Sequence, residues 1–174
     1  MNSYVTDSTS LALDREAKRL VSHYDFTDAA TVTFLSQSEN KIFLVSDPNR
    51  SGKYVVRVNS GRVSYHTPAS IASELMWLTA LRRDTDIIVP DVLRAKDGSL
   101  VQTIDVPDLG YPRHAVVYSF LSGTEPSTDD LVPGFERLGE ISARMHCHAR
   151  SWTPPAEFVR HSWTPEAILD DHLN

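Results

Sequence analysis

Leu13, Ala17, Leu20, Val21 and Tyr24 recur at helical spacing, so residues 10–24 read as an amphipathic helix. The period then shortens. Thr31-Val32-Thr33-Phe34-Leu35, rich in β-branched and aromatic residues, predicts a strand. The polar run Ser36-Gln37-Ser38-Glu39-Asn40 predicts a turn, and Ile42-Phe43-Leu44-Val45 a second strand. Asp47-Pro48-Asn49-Arg50-Ser51-Gly52 has the composition of a turn, and residues 54–58 form a third strand. Three strands joined by short polar turns predict an antiparallel meander.

A loop with Gly61 leads to a helix start in which Thr67 caps and Pro68 suits the first turn. Ile71, Leu75, Leu78 and Leu81 form one stripe, and Arg82-Arg83 lie where the helix dipole favours cations. Ile87-Ile88-Val89-Pro90 and Val92-Leu93 are short apolar runs. Lys96-Asp97-Gly98-Ser99 predicts a hairpin turn, with residues 100–104 as the returning strand. Residues 115–121, the most apolar run, predict the last strand. A linker, 122–127, follows. Leu131, Phe135, Leu138, Met145 and Ala149 then mark a second long helix, stopped by Trp152-Thr153-Pro154-Pro155. The tail, 156–174, holds one more helix start at Pro165-Glu166. Strands and helices that do not alternate strictly indicate an α+β fold.

Composition narrows the function classes. The 174 residues suit one domain or one and a fraction, and 41% hydrophobic with 23% charged residues excludes wholesale disorder. A net charge of −6 argues against a dedicated nucleic-acid binder. The single cysteine, Cys147, excludes an intrachain disulfide and fits a reducing compartment. Asp7, Asp14, Arg15 and Glu16 interrupt any signal-peptide core, and no window approaches the roughly 18 apolar residues of a membrane span. A cytoplasmic protein with no membrane partner is the expectation.

The informative residue is Arg57, inside Tyr54-Val55-Val56-Arg57-Val58. On a strand, Tyr54, Val56 and Val58 share one face, and Val55 and Arg57 share the other. A charge there costs several kcal/mol unless it is paired. Glu74, on the following helix, is the candidate partner. A strand cation paired to a helix glutamate, below a turn between two strands, has the form of a kinase phosphate clamp. A plain structural ion pair, in an α+β domain that binds no nucleotide, accounts for the same residues. His146 and His148 point about 200° apart on a helix, too divergent to share one metal ion, so one of them is expected to pack in the core. Trp77, Trp152 and Trp163 are expected to serve packing.

The segments SENKIFLV, YVVRVNS, IASELMWLTAL, IIVPDVLRAKDGSLV, HAVVYSFLSG and LGEISARMHCHARSWTPP, in that order, resemble the aminoglycoside phosphotransferase family. This kinase-like group also includes homoserine, choline and fructosamine kinases. The resemblance implies a protein-kinase-like N-lobe over residues 1–121, with a mostly antiparallel five-stranded sheet and a flanking helix. A hinge would follow at 122–127, then the first helices of a truncated helical C-lobe at 128–174. It implies ATP with Mg²⁺ as the cofactor. Ser36, Ser38, Glu39 and Asn40 would cover the phosphates. Arg57 would contact them while pairing with Glu74, standing where many relatives carry lysine. Val55 would roof the adenine, and Tyr118 would close the back of the pocket. The backbone of Ser119 and Leu121 would bond the adenine edge, and Gly123 would turn the chain into the second lobe.

The same resemblance calls for a His-x-Asp loop with a downstream Asn and a metal-binding Asp. The only late cluster, Asp170-Asp171-His172-Leu173-Asn174, has the wrong order. The chain is therefore expected to hold the ATP-binding part of a small-molecule kinase and to be inactive alone. Its acceptor would be a hydroxyl on an aminoglycoside, amino alcohol, sugar or homoserine-like metabolite. A non-catalytic nucleotide-binding or partner-binding module is the competing reading, with self-association through the apolar stripe of the helix from 131 to 150.

Overall fold

A computed structural model of the chain describes residues 8–59, 66–106, 111–124, 127–162, 164 and 165. Helix α1, Ser8–Leu20, buries Ala17 and Leu20, and a 3₁₀ turn over Val21–His23 continues it. Tyr24 is already extended, so the predicted helix ends four residues early, although Val21 and Tyr24 still bury on its apolar side. Three strands follow as predicted: β1 (Thr31–Gln37), β2 (Lys41–Ser46) and β3 (Lys53–Val58). The turn between β1 and β2 is shorter than its polar composition indicates. Ser36 and Gln37 pair with Ile42 and Lys41, and a one-residue register shift between Phe34 and Ser36 accommodates the extra length.

Helix α2, Pro68–Asp84, begins as its sequence dictates. The Thr67 hydroxyl accepts from the Ser70 N–H at 3.1 Å, and Pro68 occupies a position whose N–H a helix does not use. The chain then returns through an extended segment to β4 (Gln102–Ile104) and β5 (Arg113–Ser119). The sheet order is β1-β2-β3-β5-β4, antiparallel throughout. This is the predicted α+β arrangement.

The returning strand predicted at 100–104 shortens to Gln102–Ile104, and two other stretches differ from their sequence reading. The apolar run at 87–93 contributes only a bridge from Val92 to Tyr118, because Pro90 has no N–H to give a ladder. The last strand spans 113–119 instead of 115–121. Arg113 and His114 are buried despite their polarity, and β5 is covered on both faces, which explains its near-continuous apolar sequence. At the predicted hairpin turn, Gly98 has φ +84°, and its N–H donates to the Ala95 carbonyl at 2.9 Å.

The sheet separates two cores. Phe43, Val45, Val56, Val58, Ala115 and Val117 pack on the face that receives α1. Val116 and Tyr118 pack on the other face against Ile71 and Leu75 of α2. Helix α3, Leu131–Ser151, follows the linker and ends with the Trp152 N–H on the His148 carbonyl at 2.8 Å. Its Val132, Phe135 and Leu138 are exposed. No helix among the described residues is long and apolar enough to cross a membrane. Gly61, Glu125, Pro126, Trp163 and the 170–174 cluster lie outside the described residues, as does the proposed tail helix beyond Pro165.

Candidate functional site

Strand alternation sends Val55 and Arg57 to the face opposite the α1 core, and the antiparallel register sets Tyr118 beside Val55 and Val116 beside Arg57. Helix α2 crosses that same face. Its Glu74 and Leu78, one turn apart, point toward the strands. Together with Pro90 and residues 119–121 they enclose a cleft of about 350 Å³. That volume falls within the usual range for small-molecule pockets.

The cleft has two chemically distinct ends. At one end Arg57 Nη1 donates to Glu74 Oε1 at 2.6 Å. The Arg57 side chain is only 19% exposed, and its Nε and Nη2 are buried without a hydrogen-bond partner. Buried guanidinium donors are normally satisfied, so these two are an unmet demand for an anion or an oxygen ligand. Burial weakens the charged form most, but the hydrogen bond and charge of Glu74 outweigh it and hold the arginine above its ordinary value. The Tyr118 ring lies 5.3 Å from the guanidinium carbon. The Tyr118 hydroxyl is buried without a hydrogen bond of good geometry, and burial pushes its pKa up.

The other end is backbone. The Ser119 N–H donates to the Asp91 carbonyl, and its hydroxyl accepts from the Asp91 N–H, both at 2.8 Å. The Phe120 N–H is taken by Lys53 at 2.9 Å, whereas the Leu121 N–H makes no hydrogen bond among the described residues. Tyr54 pairs with Ser119, so the two ends lie three residues apart along β3, about 10 Å at strand rise.

Six residues singled out from sequence thus line one cleft: Val55, Arg57, Glu74, Tyr118, Ser119 and Leu121. The other four do not line it. Ser36, Ser38 and Glu39 are exposed and Asn40 is half-buried, at the β1–β2 tip. The Ser38 N–H donates to the Asn40 carbonyl at 3.2 Å. The register pairs Ile42 with Arg57, so this tip projects beyond the arginine end of the cleft. Sequence reasoning missed Leu78, Pro90 and Phe120. Leu78 carried a signal, four residues after Glu74 on one helix face; Pro90 and Phe120 carried none.

A wider recess of about 1090 Å³ lies between the C-terminal end of α2 and α3. Its charged groups answer one another. Arg83 pairs with Asp84, Arg144 with Asp86, and His148 with Asp84 at 3.0 Å. The Asp84 carboxyl is held down to about 2, first by Arg83 and then by His148. His148 is the packed histidine: its Nδ1 accepts from Trp77 Nε1 at 3.2 Å and its Nε2 faces Asp84, while His146 is exposed. Trp N–H is only a donor, which assigns the imidazole proton to Nε2. No unsatisfied group there asks for a ligand, and the smaller cleft is the better candidate.

Residues 31–173 match the profile of APH, the phosphotransferase enzyme family. The chain belongs to that family. Among solved structures it is similar to a microcompartment-associated aminopropanol kinase at 41% identity. That match covers 90% of this chain and 47% of the other, with a TM-score of 0.75. It is also similar in fold to the amicoumacin kinase hAmiN, solved in complex with AMP-PNP, Ca²⁺ and Ami. There the identity is 22%, the coverage 94% and 46%, and the TM-score 0.72. The phosphotransferase chain therefore spans about half the length of these kinases. No curated protein matches it.

Proposed function

We propose that this chain forms the ATP-binding part of a small-molecule kinase. The observation that carries the proposal is the pair of unused Arg57 donors at one end of a cleft whose other end offers a free backbone N–H. A nucleotide fits that polarity. Its base edge would bond the backbone of Ser119 and Leu121, with Val55 above the ring and Tyr118 behind it. Its phosphates would reach Arg57, held in place by Glu74, and the β1–β2 tip with Ser36, Ser38, Glu39 and Asn40 would fold over them. A guanidinium suits this task because its fork bonds a carboxylate and a phosphate at once. Residues 1–121 would be the nucleotide lobe, 122–127 the hinge, and 128–174 the start of the helical lobe.

Mg²⁺ would accompany the phosphates and neutralise charge that builds during transfer. Among the described residues no group of three acidic, His or Cys side chains is gathered to hold it. The one His-x-Asp in the sequence, His23-Tyr24-Asp25, lies ahead of the sheet and not after α3, where the family's catalytic loop is expected. Binding without transfer is the activity proposed for the 174 residues alone. The similarity to an aminopropanol kinase makes an amino-alcohol hydroxyl the acceptor class to try first.

Calorimetric titration with AMP-PNP tests the reading, with Arg57→Glu as the control. Binding by the unsubstituted chain and its loss in a folded Arg57→Glu variant support it. A titration with no heat at millimolar nucleotide refutes it. ATP-dependent phosphorylation of an aminopropanol by this chain would refute the claim that transfer needs more than these residues. A second reading, a partner-binding module, rests on the exposed Val132, Phe135 and Leu138 of α3. Sedimentation tests it, since a monomer at high concentration would count against self-association.

A further inference from the structure

Glu74 has two carboxylate oxygens, and a different arginine approaches each. Oε1 meets Arg57 at 2.6 Å, and Oε2 lies 4.0 Å from Nη1 of Arg160. Arg160 reaches α2 on a strap, residues 152–160, that leaves the end of α3. The Trp152 ring stacks on His148 at 6.2 Å and meets Phe158 edge-on at 5.1 Å. The Phe158 N–H donates to the Pro155 carbonyl at 3.0 Å and turns the chain back. The Val159 N–H then donates to Ser73 Oγ at 2.8 Å. Ser73 has no accessible surface, and its own hydroxyl donates to the Ala69 carbonyl, so this anchor is fixed on α2. Anchoring Val159 at Ser73 delivers the next residue of the strap to the next residue of the helix.

The charge count changes with this arrangement. Arg57 and Glu74 alone form a neutral pair, which has little long-range attraction for a polyphosphate. With Arg160 the group of three carries one net positive charge. We propose that Arg160 is a positioning residue of the phosphate clamp: it holds Glu74 by the second oxygen and gives the clamp its net positive charge. Arg57 Nε and Nη2 then stay available for phosphate oxygens. Arg160 is half-exposed and is not a lining residue of the cleft, so its effect passes through Glu74 and through the local field. This inference rests on the nucleotide reading above.

The test is AMP-PNP binding with Mg²⁺ at low and high salt, on the unsubstituted chain and on Arg160→Gln, Arg160→Lys and Arg57→Gln. Arg160→Gln is expected to weaken binding roughly three- to tenfold at low salt, the scale of one charge interaction near 4 Å in a wet environment. It should also flatten the salt dependence, because one charge has left the field. Arg160→Lys should restore most of both, which a purely structural role would not require. Wild-type affinity in Arg160→Gln, alongside lost binding in Arg57→Gln, overturns this inference and leaves the nucleotide reading standing. Equal weakening in Arg160→Gln and Arg160→Lys with an unchanged salt slope also overturns it. Unaltered binding in Arg57→Gln, or none in the unsubstituted chain, overturns both.

Discussion

Replacing Glu74 by leucine separates a functional ion pair from a structural one. The substitution leaves the Arg57 guanidinium 19% exposed with no carboxylate beside it. Breaking a fully buried pair costs about 3–5 kcal/mol, and breaking an exposed one about 0–1 kcal/mol. Glu74 is 33% exposed, so the single change falls between these limits, at about 2 kcal/mol. For a chain of this size that is a fall in Tm of about 4–8 °C. The double change Arg57→Met with Glu74→Leu removes both charges and keeps their volume between β3 and α2. Its expected stability is within about 1 kcal/mol of the unsubstituted chain, because two desolvation penalties vanish with one attraction. Urea unfolding measures each difference from the shift in midpoint at constant slope. AMP-PNP binding should be absent in the double variant although its fold is restored. A double variant as unstable as Glu74→Leu would refute this reasoning. It would mean that the pair fastens α2 to the sheet by geometry that hydrophobic side chains cannot replace, and the clamp would then be a staple.

Three further outcomes follow from the same structure. Thr67→Ala removes the side-chain cap from the start of α2 and should cost about 1 kcal/mol in urea unfolding, while Thr67→Asn should restore most of it. Asp84 is held down to about 2 by Arg83 and His148. A carboxylate lowered in the folded state stabilises fully above its unfolded value near 3.9, and that contribution is lost as pH falls through about 2. Asp84→Asn should therefore flatten the fall in midpoint between about pH 4 and pH 2, and an unchanged acid profile would refute the Asp84 assignment. His148→Gln removes the ring that links Trp77 to Asp84. It should shift Trp77 fluorescence and raise amide exchange along α2, and unchanged exchange would show that α3 does not steady that helix.

The elements that alternate cleanly were legible in the sequence. Residues 54–58 fixed the face of Arg57 because a strand has no other way to distribute Val56 and Val58. The start of α2 was legible from Thr67 and Pro68, since a cap is a local bond. Boundaries failed where tertiary pairing overruled composition. Ser36 and Gln37 look like turn residues, but the free edge of β2 recruits them into β1. Arg113 and His114 look like loop residues, but β5 lies between two partners and buries them with its apolar run. The candidate site divides in the same way. Arg57 with Glu74 was recoverable because a buried cation requires a partner and the helix that follows the strand places Glu74 beside it. Pro90 and Phe120 line the cleft only because Asp91 bonds Ser119 and Lys53 bonds Phe120. Those backbone contacts leave no trace in residue type.

The part after the linker matters to the Arg57–Glu74 pair for a reason that sequence order conceals. On the sheet side Ile71 and Leu75 of this 17-residue helix pack against Val116 and Tyr118, with Leu78, Val92, Leu100 and Val101 around them, and apolar contacts of this kind do not fix a helix's rotation closely. Its outer side carries the bonds that set its rotation. His148 takes Trp77 and faces Asp84, seven residues apart on the same helix, and the strap takes Ser73. Trp77 and Ser73 flank Glu74 on α2, so both supports act within one turn of the carboxylate that meets Arg57. A rotation of α2 by one residue, about 100°, would carry Glu74 away from the strand. The strand therefore determines where the cation lies, while α3 and the strap determine whether its carboxylate is there to meet it.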